Sequence, residues 1–419
     1  MKTVEEALQE ILDSVPPLEI EQVTLLDSLN RVLARDINSS RFIPPRDNSA
    51  MDGYALRSED IMSASRQRPV TLRCVEEIPA GGYSARVLAS GEAARIMTGA
   101  PIPEGADTVV KIEDVTVDAE GVTFYAPSEK GVNIRRRGED VVDGETILTK
   151  GTPIGPAQLG MLAATGNALV PLYRRPVVAI IATGNELIEV DGDPSPGKIV
   201  SSNSYTLYGQ VVEAGAVPLP LGIARDTRED LLAHFTLAKE RADVIVSSGG
   251  VSMGDYDYVR DVLRELGAEV RFESVAQRPG KPFTFALLNG LLLFGVPGNP
   301  VSAMVSFEQY IRPAIRKMTG HRALFRRTVK ATLEEPLTKK GGFTYFLRGL
   351  LTGRDGRFTV TTTGDQGSGI LKSMARANCI IVLPRHMTTI ESGSEAAVQV
   401  IDNSLLAATE PGYLEGFSA

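Results

Sequence analysis

The chain has 419 residues, more than one hydrophobic core ordinarily serves, so several domains are expected. With 43% apolar and 23% charged residues it should fold throughout, and a formal charge of −8 argues against a nucleic-acid partner held by general electrostatics. Two cysteines, Cys74 and Cys379, make neither a disulfide framework nor a thiolate cage, and three isolated histidines make neither a zinc site nor a triad, so a reducing, cytoplasmic setting fits.

Val4, Leu8, Ile11, Leu12 and Val15 recur at helical spacing among glutamates, which predicts a mature amphipathic helix rather than a secretory signal. Residues up to about Arg41 read as two helical stretches, and a further helical patch spans 156–165. The expected first domain is therefore helical, built from 1–41 and 141–174. Between these parts, residues 42–140 alternate short β-like runs, such as 70–75 and 108–115, with Pro and Gly turns, as a β-rich insertion would. Strand, Gly-containing loop and helix then repeat. The apolar runs 176–182, 243–247 and 291–296 each lead into a polar loop, and a helical stretch covers 301–318. This pattern predicts a parallel α/β/α domain over 175–320. Beyond Gly320 the period shifts to two, at 358–361, 379–383 and 396–401, which predicts a small β-barrel or sandwich over 321–405, with the end of the chain frayed. The most apolar run, 285–296, is broken by Asn289 and Gly290 and falls short of a membrane span, so no membrane insertion is expected.

In parallel sheets ligands bind at the carboxyl ends of strands, where loop amides and helix N-termini hold anions. Three loops occupy that position, around Gly184, around Gly249 and Gly250, and at Pro297-Gly298-Asn299-Pro300. Together they point to an anionic, phosphate-bearing ligand. No GxGxxG or Walker A pattern follows these strands, which weakens dinucleotide and P-loop readings. Carboxylates cluster at the same loops: Glu186, Asp226, Asp255 and Asp257 are hard oxygen donors of the kind Mg²⁺ shares with substrate phosphates. Arg278-Pro279-Gly280-Lys281-Pro282 sets two cations on a rigid turn, suited to a tetrahedral oxyanion. Arg135-Arg136-Arg137 raises the same question, although such a run is more often a solvated face.

Residues 48–55 (NSAMDGYA), 96–101 (IMTGAP), 135–140, 183–187 (TGNEL), 249–258, 279–282 (PGKP), 297–302 and 366–368 together resemble the MoeA family, whose eukaryotic relatives include the gephyrin E domain. These motifs span nearly the whole chain in family order, and NSAMDGYA and SGGVSxGxxDY are long enough to be specific. Three positions depart from the family pattern: Asn185 where Asp is common, Arg278 where Lys is common, and Asp255 where Glu is common. Asp255 is one methylene shorter and is given no ligand role.

The resemblance implies a MogA-like central domain, a C-terminal β-barrel and an elongated homodimer in which the insertion of one subunit closes over the α/β domain of the other. It implies insertion of molybdate into adenylated molybdopterin, with Mg²⁺-dependent release of AMP. By carry-over, Asp257 looks like the essential carboxylate, and Glu186 and Asp226 like the acids that handle Mg²⁺ and phosphate. Ser252, Arg278, Lys281, Arg348 and Ser368 look like the molybdate pocket, while Gly249, Gly250, Pro297 and Asn299 belong to the substrate loops. Asp52, Thr98 and Asp140 are expected from the partner subunit, and contact with a MogA-type adenylyltransferase is a further partner the family allows. Molybdenum needs soft sulfur donors, and with two scattered cysteines those donors are expected from the substrate's dithiolene. The competing readings are a molybdopterin adenylyltransferase, which needs only the α/β domain, and a non-catalytic pterin carrier or scaffold.

Overall fold

Val177–Thr183 (β1) is apolar up to its last residue, Thr183, and its side chains divide between two cores. Val178 and Ile180 face one layer of helices, and Ala179 and Ile181 face the other. A computed structural model describes residues 1–250, 258–354 and 357–402, which divide into two compact units. One unit comprises Met1–Glu21, Asn30–Val32 and the chain from Leu172 onward; the other comprises Gln22–Leu29 and Leu33–Pro171.

In the first unit β1 lies in a six-stranded sheet with Val217–Ala224 (β2), Val244–Ser248 (β3), Glu269–Ser274 (β4), Pro282–Leu288 (β5) and Leu291–Val296 (β6), in the order β2-β1-β3-β6-β5-β4. The helix Val4–Asp13 (α1) packs on one face through Ala7 and Ile11, as its amphipathic spacing predicts, and Thr3 and Glu6 close a reciprocal cap at its start. Ser202–Ala214 (α2) covers the same face. Arg228–Arg241 (α3) and Tyr258–Glu265 (α4) cover the other. The expected helical stretch 301–318 is present as Pro300–Ser306 (α5) and Arg312–Met318 (α6), joined by the wider turn Phe307–Ile311.

The expectation of an all-parallel sheet needs correction. β2, β1, β3 and β6 are parallel, but β5 runs antiparallel to β6 and β4 antiparallel to β5. The cause is local: Asn289 and Gly290 both have positive φ, 52° and 86°, which is the two-residue turn that reverses a chain between paired strands.

The period-two tail forms Thr328–Leu333 (β7), Thr344–Arg354 (β8), Arg357–Thr362 (β9), Cys379–Leu383 (β10) and Glu395–Val400 (β11). The pairings β8–β9, β9–β7, β7–β11, β11–β10 and β10–β8 close on themselves, so this region is a barrel and not a sandwich. Its interior includes Leu333, Val360, Ile381 and Val398, together with Cys379, whose thiol burial pushes up to about 12.

The second unit holds another six-stranded sheet, with Glu92–Ile96 and Val70–Ile78 at its centre and a core on each face, and the helix Pro156–Ala164. The second helical stretch expected before Arg41 is not formed. Ile20–Thr24 is a strand, followed by one short helical turn at Leu26–Ser28, because Ile20, Val23 and Thr24 carry β-branched side chains and burial alternates residue by residue. Among the described residues no helix is long and apolar enough to cross a membrane.

Candidate functional site

Strand register decides where the loops meet. Ala182 of β1 pairs with Ser248 of β3, which pairs with Val296 of β6, and Thr183 pairs with Ala224 of β2. Four chain segments therefore leave the sheet at one edge: 184–187, 225–226, 249–250 and 297–300. The Gly249 amide donates to the Val296 carbonyl at 3.1 Å, and the Gly184 amide to that of Ala224 at 3.2 Å. Gly249 has φ +95°, and a Cβ there would stand 2.5 Å from the Thr183 carbonyl oxygen, so the two loops approach more closely than any side chain permits.

These loops line a cleft of about 880 Å³. Its opposite wall comes from the barrel, through Tyr345, Leu347 and Arg348 of β8 and through Gln366 and Ser368 beyond β9. Glu186, Asp226, Gly249, Gly250, Arg278, Lys281, Pro297, Asn299, Arg348 and Ser368, scattered over the sequence, all lie on this one surface. Ser252, Asp255 and Asp257 lie outside the described residues. Asp52, Thr98 and Asp140 belong to the other unit. There the Asp52 carboxylate accepts from both the amide and the hydroxyl of Thr98, each at 2.7 Å, and these bonds hold it below the usual carboxylate range. Asp140 is exposed on a turn whose amide donates to Ile43.

The acids come from the loops that follow β1 and β2. Asp226 accepts the Asn185 amide at 3.0 Å, and its own amide donates to the Asn185 side-chain oxygen at 3.2 Å, a reciprocal lock between two loops. The Asn185 side chain thus adds an acceptor without adding charge beside Asp226. The Glu186 carboxylate folds back over Gly184, whose Cβ position lies 2.6 Å from it, and it has no protein donor among the described residues.

The cations come from the turn before β5 and from β8 of the barrel. Arg278 lies over the Phe343 ring at 5.1 Å, and neither it nor Lys281 has a carboxylate partner among the described residues. Arg348 is wholly buried. Its Nε donates to Ser373 Oγ at 3.0 Å and its Nη2 to the Gly367 carbonyl at 3.1 Å, while Nη1 has no partner. Burial lowers its pKa below the ordinary guanidinium range, with Asp365 opposing. Gln366 fixes the backbone of Arg348 from both sides, accepting its amide at 2.9 Å and donating to its carbonyl at 3.2 Å. Arg348 thus combines full burial with an unpartnered Nη1, and it lines the same cleft as Arg278 and Lys281.

Sequence reasoning missed Asn203, in the first turn of α2. Its side-chain nitrogen donates to Ser248 Oγ at 2.7 Å and to the Gly298 carbonyl at 2.9 Å, tying two of the loops together. An asparagine at a helix start reads as an ordinary cap, and only the fold reveals its span. Gln366 falls inside a recognised motif, yet its support of Arg348 depends on pairing across the barrel.

Two carboxylates, Glu186 and Asp226, face the cleft, and among the described residues no three metal-ligating side chains come together. No cysteine lines the cleft: Cys379 is inside the barrel and Cys74 is in the other unit.

Family models match the chain over three stretches: the MoeA N-terminal region (domains I and II) at 2–166, the probable molybdopterin binding domain at 179–317, and the MoeA C-terminal region (domain IV) at 330–401. The chain is 40% identical over 402 residues to the molybdopterin molybdenumtransferase of Bacillus subtilis, covering 95% of this chain and 94% of that protein. It is 38% identical over 384 residues to the same-named protein of Staphylococcus aureus, covering 91% of each. Its fold is similar to the crystal structure of the molybdopterin biosynthesis moeA protein of Pyrococcus horikoshii, with TM-score 0.80, 31% identity, and coverage of 96% of this chain and 100% of that one.

Proposed function

Because this chain belongs to the MoeA family of molybdopterin molybdenumtransferases and acts in molybdenum cofactor biosynthesis, we propose that its cleft brings molybdate and adenylated molybdopterin together. The observation that carries this reading is that one cleft gathers both signs of charge: Arg278, Lys281 and the buried, incompletely bonded Arg348, together with Glu186 and Asp226. Two anions repel each other in water, and fixed charges that need no reorganisation hold them in reacting position.

In this reading Arg278, Lys281, Arg348 and Ser368 hold the tetrahedral oxyanion. The loop at Gly249 and Gly250, with Pro297 and Asn299, cradles the nucleotide-linked part of the substrate. Glu186 and Asp226 would hold Mg²⁺, whose charge offsets that of the phosphates. Asp226 or Asp257 orients the oxygen nucleophile that opens the phosphoanhydride, and AMP leaves. The two dithiolene thiols bind molybdenum as one molybdate oxygen leaves as water with their two protons, since the chain's own thiols are elsewhere. The chain works as a homodimer, with Asp52, Thr98 and Asp140 completing the cleft of the partner subunit.

The test is a reaction with adenylated molybdopterin, Mg²⁺ and varied molybdate, followed by AMP release and reconstitution of a molybdoenzyme. Lys281→Ala should raise the molybdate concentration required about tenfold or more, the loss of one charge-assisted contact. An unchanged requirement would move the oxyanion elsewhere.

A further inference from the structure

The helical stretch from Pro300 to Met318 departs from α geometry once, at Phe307–Ile311, where the Arg312 amide bonds back five residues to the Phe307 carbonyl. Such wide turns are frequent at functional sites. This one lines none of the cleft, but three of its consecutive side chains each grip a different part of the same unit. Buried Glu308 accepts Arg326 Nε at 2.9 Å and Nη2 at 3.2 Å, on the segment leading into the barrel. Gln309 exchanges amide hydrogen bonds with Gln399 of β11, at 2.7 and 3.3 Å. Tyr310 is hydrogen-bonded to Gln277, the residue immediately before Arg278.

The polarity of this last bond is determined. Gln277 Nε2 lies 3.1 Å from the Pro279 carbonyl and 3.4 Å from Ser306 Oγ. A carbonyl can only accept, so the amide nitrogen faces Pro279, the amide oxygen faces Tyr310, and the phenol must donate. Burial raises the Tyr310 pKa and keeps the hydroxyl protonated. The ring is held independently of that hydroxyl by stacking on Phe283, with centroids 4.7 Å apart.

A chain of hydrogen bonds therefore runs from Tyr310 through Gln277 to the Pro279 carbonyl, inside the turn that carries Arg278 and Lys281. Gly280 seals it. Its φ is +88°, and a Cβ there would meet Gln277 Nε2 and Ser306 Oγ, both at 2.8 Å. Tyr310, Gln277 and Ser306 are all fully buried, and none lines the cleft.

We propose that Tyr310 and Gln277 are positioning residues for the oxyanion subsite, holding the Arg278–Lys281 turn at the height and direction from which its two cations converge on molybdate. The proposal rests on the reading of that turn as the oxyanion holder. It goes further in assigning a function to two residues that touch no substrate, and in connecting the wide turn of the helix to affinity rather than to folding alone.

The experiment uses the full-length protein with Tyr310→Phe, which removes the hydroxyl and keeps the stacked ring, and with Gln277→Met, which removes the relay at similar volume. Lys281→Ala serves as the reference. The molybdate concentration for half-maximal AMP release should rise about five- to tenfold in Tyr310→Phe, the scale of one buried hydrogen bond, with kcat changed less than about twofold. Gln277→Met should do at least as much, and the double variant no more than the larger single change, because both break one chain of contacts. A molybdate requirement that stays at the wild-type value in Tyr310→Phe and Gln277→Met while Lys281→Ala shifts it overturns the positioning role. A drop in kcat and melting temperature without that shift also overturns it, leaving a merely structural pair. No shift in any of the three variants removes the oxyanion reading of the turn, and the proposal with it. Should Tyr310→Phe fail to fold, Gln277→Met decides by the same criterion.

Discussion

Replacing Arg348 by Met separates a ligand-binding guanidinium from a structural one, because the two roles predict opposite balances of stability and affinity. The side chain is fully buried and makes two hydrogen bonds, to Ser373 and to the Gly367 carbonyl. Losing them costs about 1 kcal/mol each. Ser373 is not stranded by the change, since its hydroxyl already donates to the Ile370 carbonyl at 2.7 Å. Against this loss stands the removal of a charge that burial disfavours, the reason its pKa is lowered. The desolvation penalty of one buried ion is several kcal/mol, so the exchange for an apolar side chain is neutral or stabilising in the ligand-free protein, by up to about 2 kcal/mol. Affinity moves the other way. A charge-assisted contact to an oxyanion contributes about 1.5–3 kcal/mol, so the molybdate requirement should rise roughly 10- to 150-fold. Thermal unfolding without ligand and the molybdate dependence of AMP release measure the two quantities separately. A variant that melts several degrees lower and needs no more molybdate than the wild type would refute the reasoning and make Arg348 a strut of the barrel.

Two further predictions concern the frame that carries the site. Asp243 accepts both terminal nitrogens of Arg174 at 2.8 and 2.7 Å and the Val177 amide at 2.7 Å, which anchors the start of β1. Burial raises its pKa, but these bonds outweigh burial and the net shift is downward. A folded pKa below the unfolded value of about 3.9 means stability that is present above that pH and is lost as pH falls through the folded value. Asp243→Asn should therefore melt lower than wild type at pH 7, by the equivalent of about 2 kcal/mol, with the gap closing below about pH 4; a gap independent of pH contradicts the assignment. Gly249→Ala forces a Cβ to within 2.5 Å of the Thr183 carbonyl at φ +95°, where both groups are backbone and neither yields easily. It should cost more than about 2 kcal/mol in thermal or urea unfolding, and wild-type stability in that variant would mean that the loop relaxes freely.

Most of the cleft's chemistry was legible in sequence because it sits in short, contiguous patterns. Glycine loops after apolar runs placed Gly184, Gly249 and Pro297 at strand ends without any knowledge of the sheet. The paired cations around Pro279-Gly280 were visible as a turn. What escaped notice depended on pairing between distant segments. The Asn289-Gly290 reversal was visible as a break in an apolar run, but the antiparallel β5 follows only when both flanks are recognised as strands. The second helical stretch expected before Arg41 gives way to a strand at 20–24 because so short a stretch carries too few positions to separate a period of two from 3.6.

By itself, the sequence determined the local rules: which runs are buried on both faces, where the amphipathic helix begins, which turns need glycine, and which charged groups are available. Only the tertiary structure decided which of those groups share a surface. Arg348 is an unremarkable strand residue until the segment from Gly367 to Ser373 packs over it, and Tyr310 is a core aromatic until the wide turn brings it to Gln277. The physical reason is that burial and hydrogen-bond partnership belong to pairs of residues far apart in the chain, and strand register and helix packing choose those pairs.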